Sequence, residues 1–197
     1  MAHIIETKVE QNIATNYIIY MKNVIDILTK VGAVLPNDHF VGTSGRHFDT
    51  YVNKDALFPH TKETSDICLM FAEKFKDLDI DVVAAPAMGG VILSQWTAYH
   101  LSNLKNKEIL GIYAEKKGDE IVFTRGYDKF LSEKKVLVVE DLTTTGGSLK
   151  KVIESAKAAG ANIVGSSVMV NKDPKRVTEE FLGAPFSPLG VLEVKSY

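Results

Sequence analysis

Residues 136–148 read VLVVEDLTTTGGS, and this stretch carries the clearest structural signal in the chain. Four apolar residues precede two acids, a leucine, three threonines, two glycines and a serine. A short run without polar residues is typical of a parallel strand that is buried on both faces. Beyond the serine, apolar residues at helical spacing from Leu149 to Ala159 predict a helix. The stretch therefore predicts a buried strand, a polar loop and a helix, in that order.

The same succession of strand, glycine loop and helix occurs earlier in the chain. Residues 82–86 form a second apolar run that ends in a proline, and Gly89 and Gly90 precede a predicted helix over about 91–101. Further strands are predicted over 109–114 and 163–170, and a further helix over about 62–76.

These alternating elements predict an α/β fold with a doubly wound, mostly parallel sheet that is covered by helices on both faces. Ligands of such sheets bind beyond the carboxyl ends of the strands. The two glycine-containing loops lie at those ends, so we expect the functional site there. We also expect a single domain, with a small N-terminal hood over about 1–60, a C-terminal strand over 191–194 that completes the hood, and a core over about 61–172.

Two other segments have less regular patterns. Apolar residues at helical spacing from Ile13 to Leu28 predict a first helix, and residues 40–53 predict two strands around a turn at Ser44. The segment 115–133 is rich in charged residues and glycine, and only residues 121–123 read as a strand. A solvated hairpin and a mobile flap over the site fit this segment equally well, so both interpretations stay open.

The composition excludes several classes of function. The chain has 197 residues, of which 45% are hydrophobic, and a net charge of −2 with no basic arm or stripe, which argues against a nucleic-acid partner. No apolar run is long enough to span a bilayer, and the N-terminus lacks the pattern of a secretory signal. The single cysteine rules out an internal disulfide framework. We therefore expect a cytoplasmic protein without a membrane partner.

The order of residues in 140–148 predicts a site for a phosphorylated ribose. Backbone N–H groups at a helix N-terminus bind anions, glycines allow the backbone to approach a phosphate, and hydroxyls add donors. Glu140 and Asp141 would accept hydrogen bonds from sugar hydroxyls. The glycine-lysine motif of P-loop proteins and the three-glycine motif of dinucleotide-binding proteins are both missing. A plain N-capped helix with Thr145 or Ser148 as its cap is the alternative, but it leaves the acids and the remaining threonines unexplained.

The segment 136–148 closely resembles the ribose-pyrophosphate signature of the type I phosphoribosyltransferases. Three further segments resemble the orotate phosphoribosyltransferase branch of that family: 44–53 its hood hairpin, 86–90 its pyrophosphate loop, and 113–127 its catalytic flap. The resemblance runs in the same order from about Gly32 to Val170. It implies an enzyme that transfers the 5-phosphoribosyl group from 5-phosphoribosyl 1-pyrophosphate (PRPP) to orotate, giving orotidine 5′-monophosphate and pyrophosphate in pyrimidine biosynthesis.

The resemblance also assigns roles to individual residues. The catalytic residues would be Asp141, Glu140 and Lys116, with Lys117 as the alternative flap lysine. The residues that bind PRPP would be Thr143, Thr144, Thr145, Gly146, Gly147, Ser148, Ala87, Met88, Gly89, Gly90, Lys117 and Arg125. The residues that bind the base would be Thr43, Ser44, Arg46, Tyr51 and Lys172.

A magnesium ion and a homodimer are implied in the same way. The pyrophosphate of the donor needs a hard, oxygen-bound cation, and Mg²⁺ is the expected cofactor. The sequence predicts no metal site built from its own side chains, because the five histidines show no metal-ligand spacing. In the family, the flap lysines act across a dimer interface, so we expect two copies of the chain to associate.

Three departures from the family pattern leave the acceptor base open. Gly89 stands where the family often has a lysine, and Thr43 stands where a lysine usually precedes the Ser-Gly-Arg segment. Lys172 stands where an arginine is frequent, and it lacks the bidentate fork of arginine. A phosphoribosyltransferase for another base, such as a purine, is therefore one alternative. A non-catalytic regulator that senses PRPP and binds nucleic acid is another, although the retained acid pair and the acidic balance count against it.

Overall fold

The computed structural model describes residues 23–41 and 47–193. The first part of the predicted first helix, the predicted turn at Ser44 and three of the expected base-binding residues, Thr43, Ser44 and Arg46, lie outside these ranges. In chain order the elements are α1 (Val24–Lys30), β1 (Val34–Val41), β2 (His47–Val52), α2 (Thr61–Phe75), β3 (Val82–Pro86), α3 (Gly89–Lys105), β4 (Leu110–Lys117), β5 (Glu120–Val122), β6 (Lys135–Thr143), α4 (Gly147–Ala158), β7 (Asn162–Asn171), α5 (Glu179–Leu182) and β8 (Gly190–Val191).

Six strands form the central sheet, in the order β5-β4-β3-β6-β7-β8. Strands β4, β3, β6, β7 and β8 run parallel, and the short edge strand β5 is antiparallel to β4. The connections from β3 to β4 and from β6 to β7 pass through helices α3 and α4. The predicted α/β fold with a mostly parallel sheet is therefore confirmed.

The central strands are apolar because both faces of the sheet are covered. Successive residues of a strand point to opposite faces. Val83 and Leu137 accordingly belong to one hydrophobic core, which also contains Phe71 of α2, whereas Val82 and Val136 belong to a second core. The second core is completed by residues of α4, namely Leu149, Val152, Ile153 and Ala156.

The strands of the sheet are tied together at their amino ends by Asp81. Its carboxylate accepts hydrogen bonds from the Lys135 backbone N–H at 3.1 Å and from the Lys107 ammonium at 2.7 Å. Its backbone N–H donates to the Lys135 carbonyl at 2.9 Å, and its carbonyl accepts from Leu110 N–H at 3.0 Å. These contacts fix the starting points of β3, β4 and β6, so the carboxyl ends of these strands emerge at one edge in a defined register.

A separate two-stranded sheet stands beside this core. Strands β1 and β2 pair antiparallel, as predicted from residues 40–53, but β1 begins earlier, at Val34. The hairpin is joined to the core through buried Val52 and through the Asn53 N–H, which donates to the Ala33 carbonyl at 2.7 Å. A single 3-10 turn, Lys54–Ala56, then leads into α2, and this turn brings Lys54 to the main sheet.

The structure corrects several predicted boundaries. Helix α3 begins at Gly89 instead of residue 91, because both glycines belong to its first turn. Strand β6 continues through the acid pair to Thr143, since Thr143 still pairs with Asn171 of β7. The short helix α5 was not among the predicted elements, and the Thr178 hydroxyl caps it by accepting a hydrogen bond from Phe181 N–H at 3.2 Å. Within the described residues, the predicted C-terminal strand is only Gly190–Val191.

Candidate active site

Two loops meet at the carboxyl edge of the sheet because β3 and β6 are neighbouring strands. The loop after β3 opens directly into α3, whose first residue is Gly89. The loop after β6 opens into α4, whose first residue is Gly147. The first N–H groups of a helix have no partner within the helix, and the helix dipole makes them favourable for anions. The edge therefore offers two anion-binding helix ends side by side.

The first of these loops is packed tightly against the acid pair. A β-carbon added to Gly89 would lie 2.2 Å from Asp141 Oδ2 and 3.1 Å from the ring of Phe58. One added to Gly90 would lie 2.7 Å from the β-carbon of Ala85. No side chain fits at either position without displacing a neighbour. This space restriction explains why residue 89 is a glycine, although the family that the sequence resembles often has a lysine at this position.

The carboxylate of Asp141 is held by two donors. Lys54 Nζ lies 2.8 Å from Oδ2, and the backbone N–H of Leu142 donates to Oδ1 at 2.6 Å. Only 7% of Asp141 is exposed. Burial by itself lowers the pKa of Lys54, but its hydrogen bond to Asp141 and the charges of Asp141, Asp55 and Glu140 more than offset that effect, so the pKa is raised. Lys54 and Asp141 thus form a close ion pair.

Glu140 has the opposite character. It is buried, and this burial, reinforced by the negative charge of Asp141, raises the pKa of its carboxyl from the usual 4.5 to about 8, although Lys54 opposes the shift. Glu140 therefore holds a proton at neutral pH in the free protein. The two acids that are adjacent in the sequence thus differ: Asp141 is paired with Lys54, and Glu140 holds a proton.

In the second loop, the two glycines have different constraints. Gly146 has φ +75°, and a β-carbon there would lie 2.6 Å from the ring of Phe181. Gly147 has only the Thr145 hydroxyl near its missing side chain, at 3.6 Å. The hydroxyl of Thr143 accepts a hydrogen bond from Gly146 N–H at 3.0 Å, so this threonine, which was expected to bind phosphate, also holds the loop in shape.

The remaining expected phosphate ligands of this loop are accessible. Thr145 and Ser148 are exposed, and Thr144 is half-buried. The Thr145 hydroxyl is also the acceptor of a long hydrogen bond, 3.5 Å, from Gly147 N–H.

In the first loop, Ala87 is anchored by its N–H, which donates to the Ala114 carbonyl at 2.8 Å, whereas Met88 is 83% exposed.

The expected flap is a hairpin that extends from the same edge. Lys116 and Lys117 are exposed on β4, opposite Ile121 and Glu120. Strand β4 is separated from the acid pair by β3, so neither lysine belongs to the cluster around Asp141.

Three contacts hold this hairpin in place. Arg125 forms an ion pair with Glu115 at 3.0 Å, and the Thr124 hydroxyl donates to the same carboxylate. At the tip, the ammonium of Lys151 from α4 donates to the Asp119 carbonyl, so the hairpin rests against that helix. Arg125, which was expected to bind PRPP, is thus engaged within the hairpin.

Two of the expected base-binding residues are described. The backbone N–H of Lys172 donates to the Thr143 carbonyl at 2.8 Å, which places this lysine beside the end of β6. Burial lowers the pKa of Lys172, and the charge of Asp141 counteracts this effect. Tyr51 lies on β2 of the hairpin, half-exposed, and its ring stacks on Phe40 with centroids 5.5 Å apart.

Two residues at this edge were not expected from the sequence. Lys54 supplies the counterion of Asp141, and Phe58 contacts the position of Gly89. Both belong to the segment between β2 and α2. The only signal in the sequence is that a lysine follows directly after a predicted strand. The contact itself joins residues 87 positions apart and depends on the path of the turn between them.

We predict that Glu140→Gln changes the pH dependence of stability. Because the carboxyl pKa is raised on folding, the folded protein holds a proton between pH 4.5 and about 8 that the unfolded chain has lost, so stability falls as the pH rises through this window. Glutamine does not titrate, so the stability of Glu140→Gln does not fall in this pH window. Its Tm should exceed that of the wild type by roughly 10 °C at pH 9 and lie close to it at pH 5, as measured by calorimetry.

Asp141→Asn is the control for that experiment. It removes a carboxylate that is ion-paired with Lys54, so it should lower the Tm at both pH values. A Glu140→Gln variant whose Tm difference from the wild type is the same at pH 5 and pH 9 would contradict the assignment of a buried, protonated Glu140.

Comparison with known proteins agrees with this geometry. Residues 54–182 match the model of the phosphoribosyl transferase domain family. The orotate phosphoribosyltransferase of Chlorobium phaeobacteroides (strain BS1) is 37% identical over 174 residues, covering 88% of this chain and 84% of that protein. The orotate phosphoribosyltransferase of Caldanaerobacter subterraneus subsp. tengcongensis is 33% identical over 176 residues, covering 89% of this chain and 87% of that protein.

Solved structures show the same fold. Orotate phosphoribosyltransferase from Aeropyrum pernix has a TM-score of 0.64 at 25% identity, over 85% of this chain and 93% of that chain. The Mycobacterium tuberculosis orotate phosphoribosyltransferase in complex with PRPP has a TM-score of 0.63 at 19% identity, over 87% of this chain and 97% of that chain. Among the described residues, no helix is long and apolar enough to cross a membrane. On the family match and the sequence identities, the chain belongs to the phosphoribosyltransferase family, in its orotate phosphoribosyltransferase branch.

Proposed function

We propose that this protein is an orotate phosphoribosyltransferase, which transfers the 5-phosphoribosyl group of PRPP to orotate and releases pyrophosphate. The observation that carries the proposal is the acid pair at the end of β6, placed between two helix N-termini that begin with glycines. The relatives that share 33–37% identity over nearly 90% of the chain are named orotate phosphoribosyltransferases, and this supports orotate as the acceptor.

The N-termini of α3 and α4 bind different phosphate groups of PRPP. The N–H groups of Gly147 and Ser148 bind the 5′-phosphate, and the hydroxyls of Thr144 and Thr145 add donors. The loop 87–90 binds the pyrophosphate through the N–H groups of Gly89 and Gly90, which begin α3 and have no side chain to cover them, whereas the Ala87 N–H is already bonded to the Ala114 carbonyl. The ribose then lies across the end of β6, where Asp141 accepts hydrogen bonds from its hydroxyls.

The reaction is a displacement at C1 of the ribose. A ring nitrogen of orotate loses its proton to solvent and forms the new bond to C1 as the bond from C1 to the pyrophosphate oxygen breaks, and the electron pair of that bond leaves with pyrophosphate. The transition state is cation-like, so positioning and electrostatics supply the catalysis. Asp141 orients the sugar and stabilises the positive charge at C1, and Glu140 provides a buried hydrogen-bonding partner beside it.

The flap supplies cations to the leaving group. Lys116 or Lys117 reaches the pyrophosphate when the hairpin leaves its resting place on α4. The hairpin rests on α4 through the hydrogen bond from Lys151 to the Asp119 carbonyl and through Ile121, which packs against the second hydrophobic core, so its movement releases both contacts. The orotate carboxylate is bound by Lys172, and Tyr51 covers the ring, together with Thr43, Ser44 and Arg46 of the hood.

Mg²⁺ enters with the donor in this proposal. Among the described residues, no group of three or more His, Cys, Asp and Glu side chains is arranged to hold a metal ion. In this proposal, the carboxylate of Asp141 is the protein group that lies nearest to the ion, because its oxygens are next to the expected ribose hydroxyls. When bound, Mg²⁺ would neutralise charge on the pyrophosphate oxygens.

The decisive experiment for the function is a steady-state assay of pyrophosphate release with PRPP, Mg²⁺ and a panel of free bases. Turnover is expected with orotate, negligible turnover with purines, and loss of activity with a chelator that is reversed by added Mg²⁺. Turnover with a purine instead would move the protein to another acceptor. PRPP binding without turnover on any base would favour a regulator, and salt-dependent binding of DNA or RNA would then support that reading.

A second prediction separates the two glycines of the phosphate loop. Gly147→Val adds a side chain where the protein itself leaves room, so folding should be little affected, but the side chain blocks the approach of phosphate. We expect the KM for PRPP to rise at least about tenfold, equivalent to about 1.4 kcal/mol. The matched variant Gly146→Ala should instead lower the Tm, because of its φ of +75° and its contact with Phe181. An unchanged KM in Gly147→Val would place the phosphate elsewhere.

We also propose that the protein is a homodimer. Helix α3 carries three large apolar side chains that are exposed in the single chain: Trp96, Tyr99 and Leu104. The rings of Trp96 and Tyr99 pack edge to face, with centroids 5.8 Å apart. Exposed large apolar side chains that are grouped on one helix are typical of a protein interface. Sedimentation velocity should show a dimer in the wild type and a monomer in Tyr99→Asp, and a monomeric wild type would contradict the proposal.

A further inference from the structure

We propose that Lys54 is a catalytic residue that changes partners during the reaction, moving from Asp141 in the free enzyme to the pyrophosphate of the bound donor. This inference rests on the proposed function, since it needs a donor that carries a pyrophosphate. It assigns a role to a lysine that lies outside both glycine loops and outside the flap. The contacts of three residues carry it: Lys54, Asp141 and Gly89.

Lys54 contacts the same Asp141 oxygen that fills the space beside Gly89. Lys54 Nζ lies 2.8 Å from Asp141 Oδ2, and the missing side chain of Gly89 would start 2.2 Å from that same oxygen. The ammonium therefore stands beside the first turn of α3. An anion bound by the N–H groups of that turn would lie next to Lys54 without any movement of the backbone.

The charges at the site favour an exchange of partners. In the transition state, positive charge develops on the ribose and negative charge on the leaving pyrophosphate. An ammonium that stays on Asp141 weakens the stabilisation of the positive charge, because it cancels the field of the carboxylate. An ammonium that moves to the pyrophosphate removes this conflict and neutralises the leaving group. One displacement of Lys54 thus improves both electrostatic interactions.

Lys54 is able to make this movement. Its side chain is 35% exposed, whereas that of Asp141 is only 10% exposed, so the ammonium reaches the open side of the site and the carboxylate stays in place. A lysine ammonium is a compact charge with three donors on a flexible stem, and it does not depend on one fixed geometry. The Leu142 N–H continues to hold Asp141 Oδ1 at 2.6 Å after Lys54 leaves.

Because residue 89 is a glycine, the pyrophosphate loop carries no cation there, and Lys54 supplies one. Because a β-carbon at Gly89 would collide with Asp141 and Phe58, the loop cannot supply a cation from that position. Within the loop 87–90 the residues are alanine, methionine and two glycines, so the loop has no charge of its own. Lys54 brings a cation to the loop from the other side, on the turn that follows β2.

The test is a double-mutant cycle on binding, made with the full chain. The wild type, Lys54→Gln, Asp141→Asn and the double variant are titrated calorimetrically with PRPP and with ribose 5-phosphate, both in the presence of Mg²⁺. If Lys54 binds the pyrophosphate, Lys54→Gln should weaken PRPP binding roughly 10- to 100-fold, as expected for a lost charged hydrogen bond. Binding of ribose 5-phosphate, which has no pyrophosphate, should stay unchanged or become tighter.

The Asp141→Asn background separates a direct role from a positioning role. A lysine that only orients Asp141 would have no further effect once that carboxylate is gone. We expect Lys54→Gln to weaken PRPP binding in this background too. The double variant also removes both charges together, so it leaves no unpaired buried charge and keeps the test possible if a single variant folds poorly.

Lys30→Gln is the matched control. Lys30 of α1 forms an ion pair of similar length with Glu63 of α2, at 2.6 Å. The substitution of Lys30 should leave the binding of both ligands unchanged. Equal losses for PRPP and ribose 5-phosphate in Lys54→Gln, or no loss for either, would overturn the inference. A wild type that binds PRPP but does not use orotate would overturn only the proposed acceptor. A wild type that fails to bind PRPP would overturn both.

Discussion

Two adjacent carboxylates at the end of a buried apolar strand are the constraint on which the rest of this structure depends. Removing two like charges from water in neighbouring positions is unfavourable unless each is neutralised or paired. The protein solves the problem differently for each acid. Glu140 keeps its proton, because burial and the charge of Asp141 raise its pKa to about 8. Asp141 is paired instead, because Lys54 and the Leu142 N–H hold its two oxygens.

This solution determines the surroundings of the site. The hairpin β1–β2 must be joined to the core so that the turn after β2 delivers Lys54. The loop after β3 must have no side chain at residue 89, because Asp141 already occupies that space. The amino-edge contacts of Asp81 keep β3 and β6 in register, so that the loop and the acids meet at the opposite edge. The site is thus assembled from three separate parts of the chain by contacts that can each be traced to one residue.

The sequence alone predicted the parts of this arrangement that have local signals. The strand and loop at 136–148 and the glycine pair at 89–90 could be placed at one edge, because apolar runs and glycines mark parallel strands and their loops. The contact between Lys54 and Asp141 could not be predicted, since it joins residues 87 positions apart through a short turn. Nor could the difference between Gly146 and Gly147, which arises from a positive φ and from the ring of Phe181.

The contact between Gly146 and Phe181 links the phosphate loop to a segment that has no chemistry of its own. Phe181 belongs to the short helix α5, which lies beyond β7 in the chain, and its ring fills the space beside the glycine. The two positions therefore constrain each other during evolution. A lineage that replaces the glycine must first shrink or move the aromatic ring, and a lineage that remodels α5 must preserve the shape of the loop. Sequence change in α5 is consequently limited by the shape of the phosphate loop.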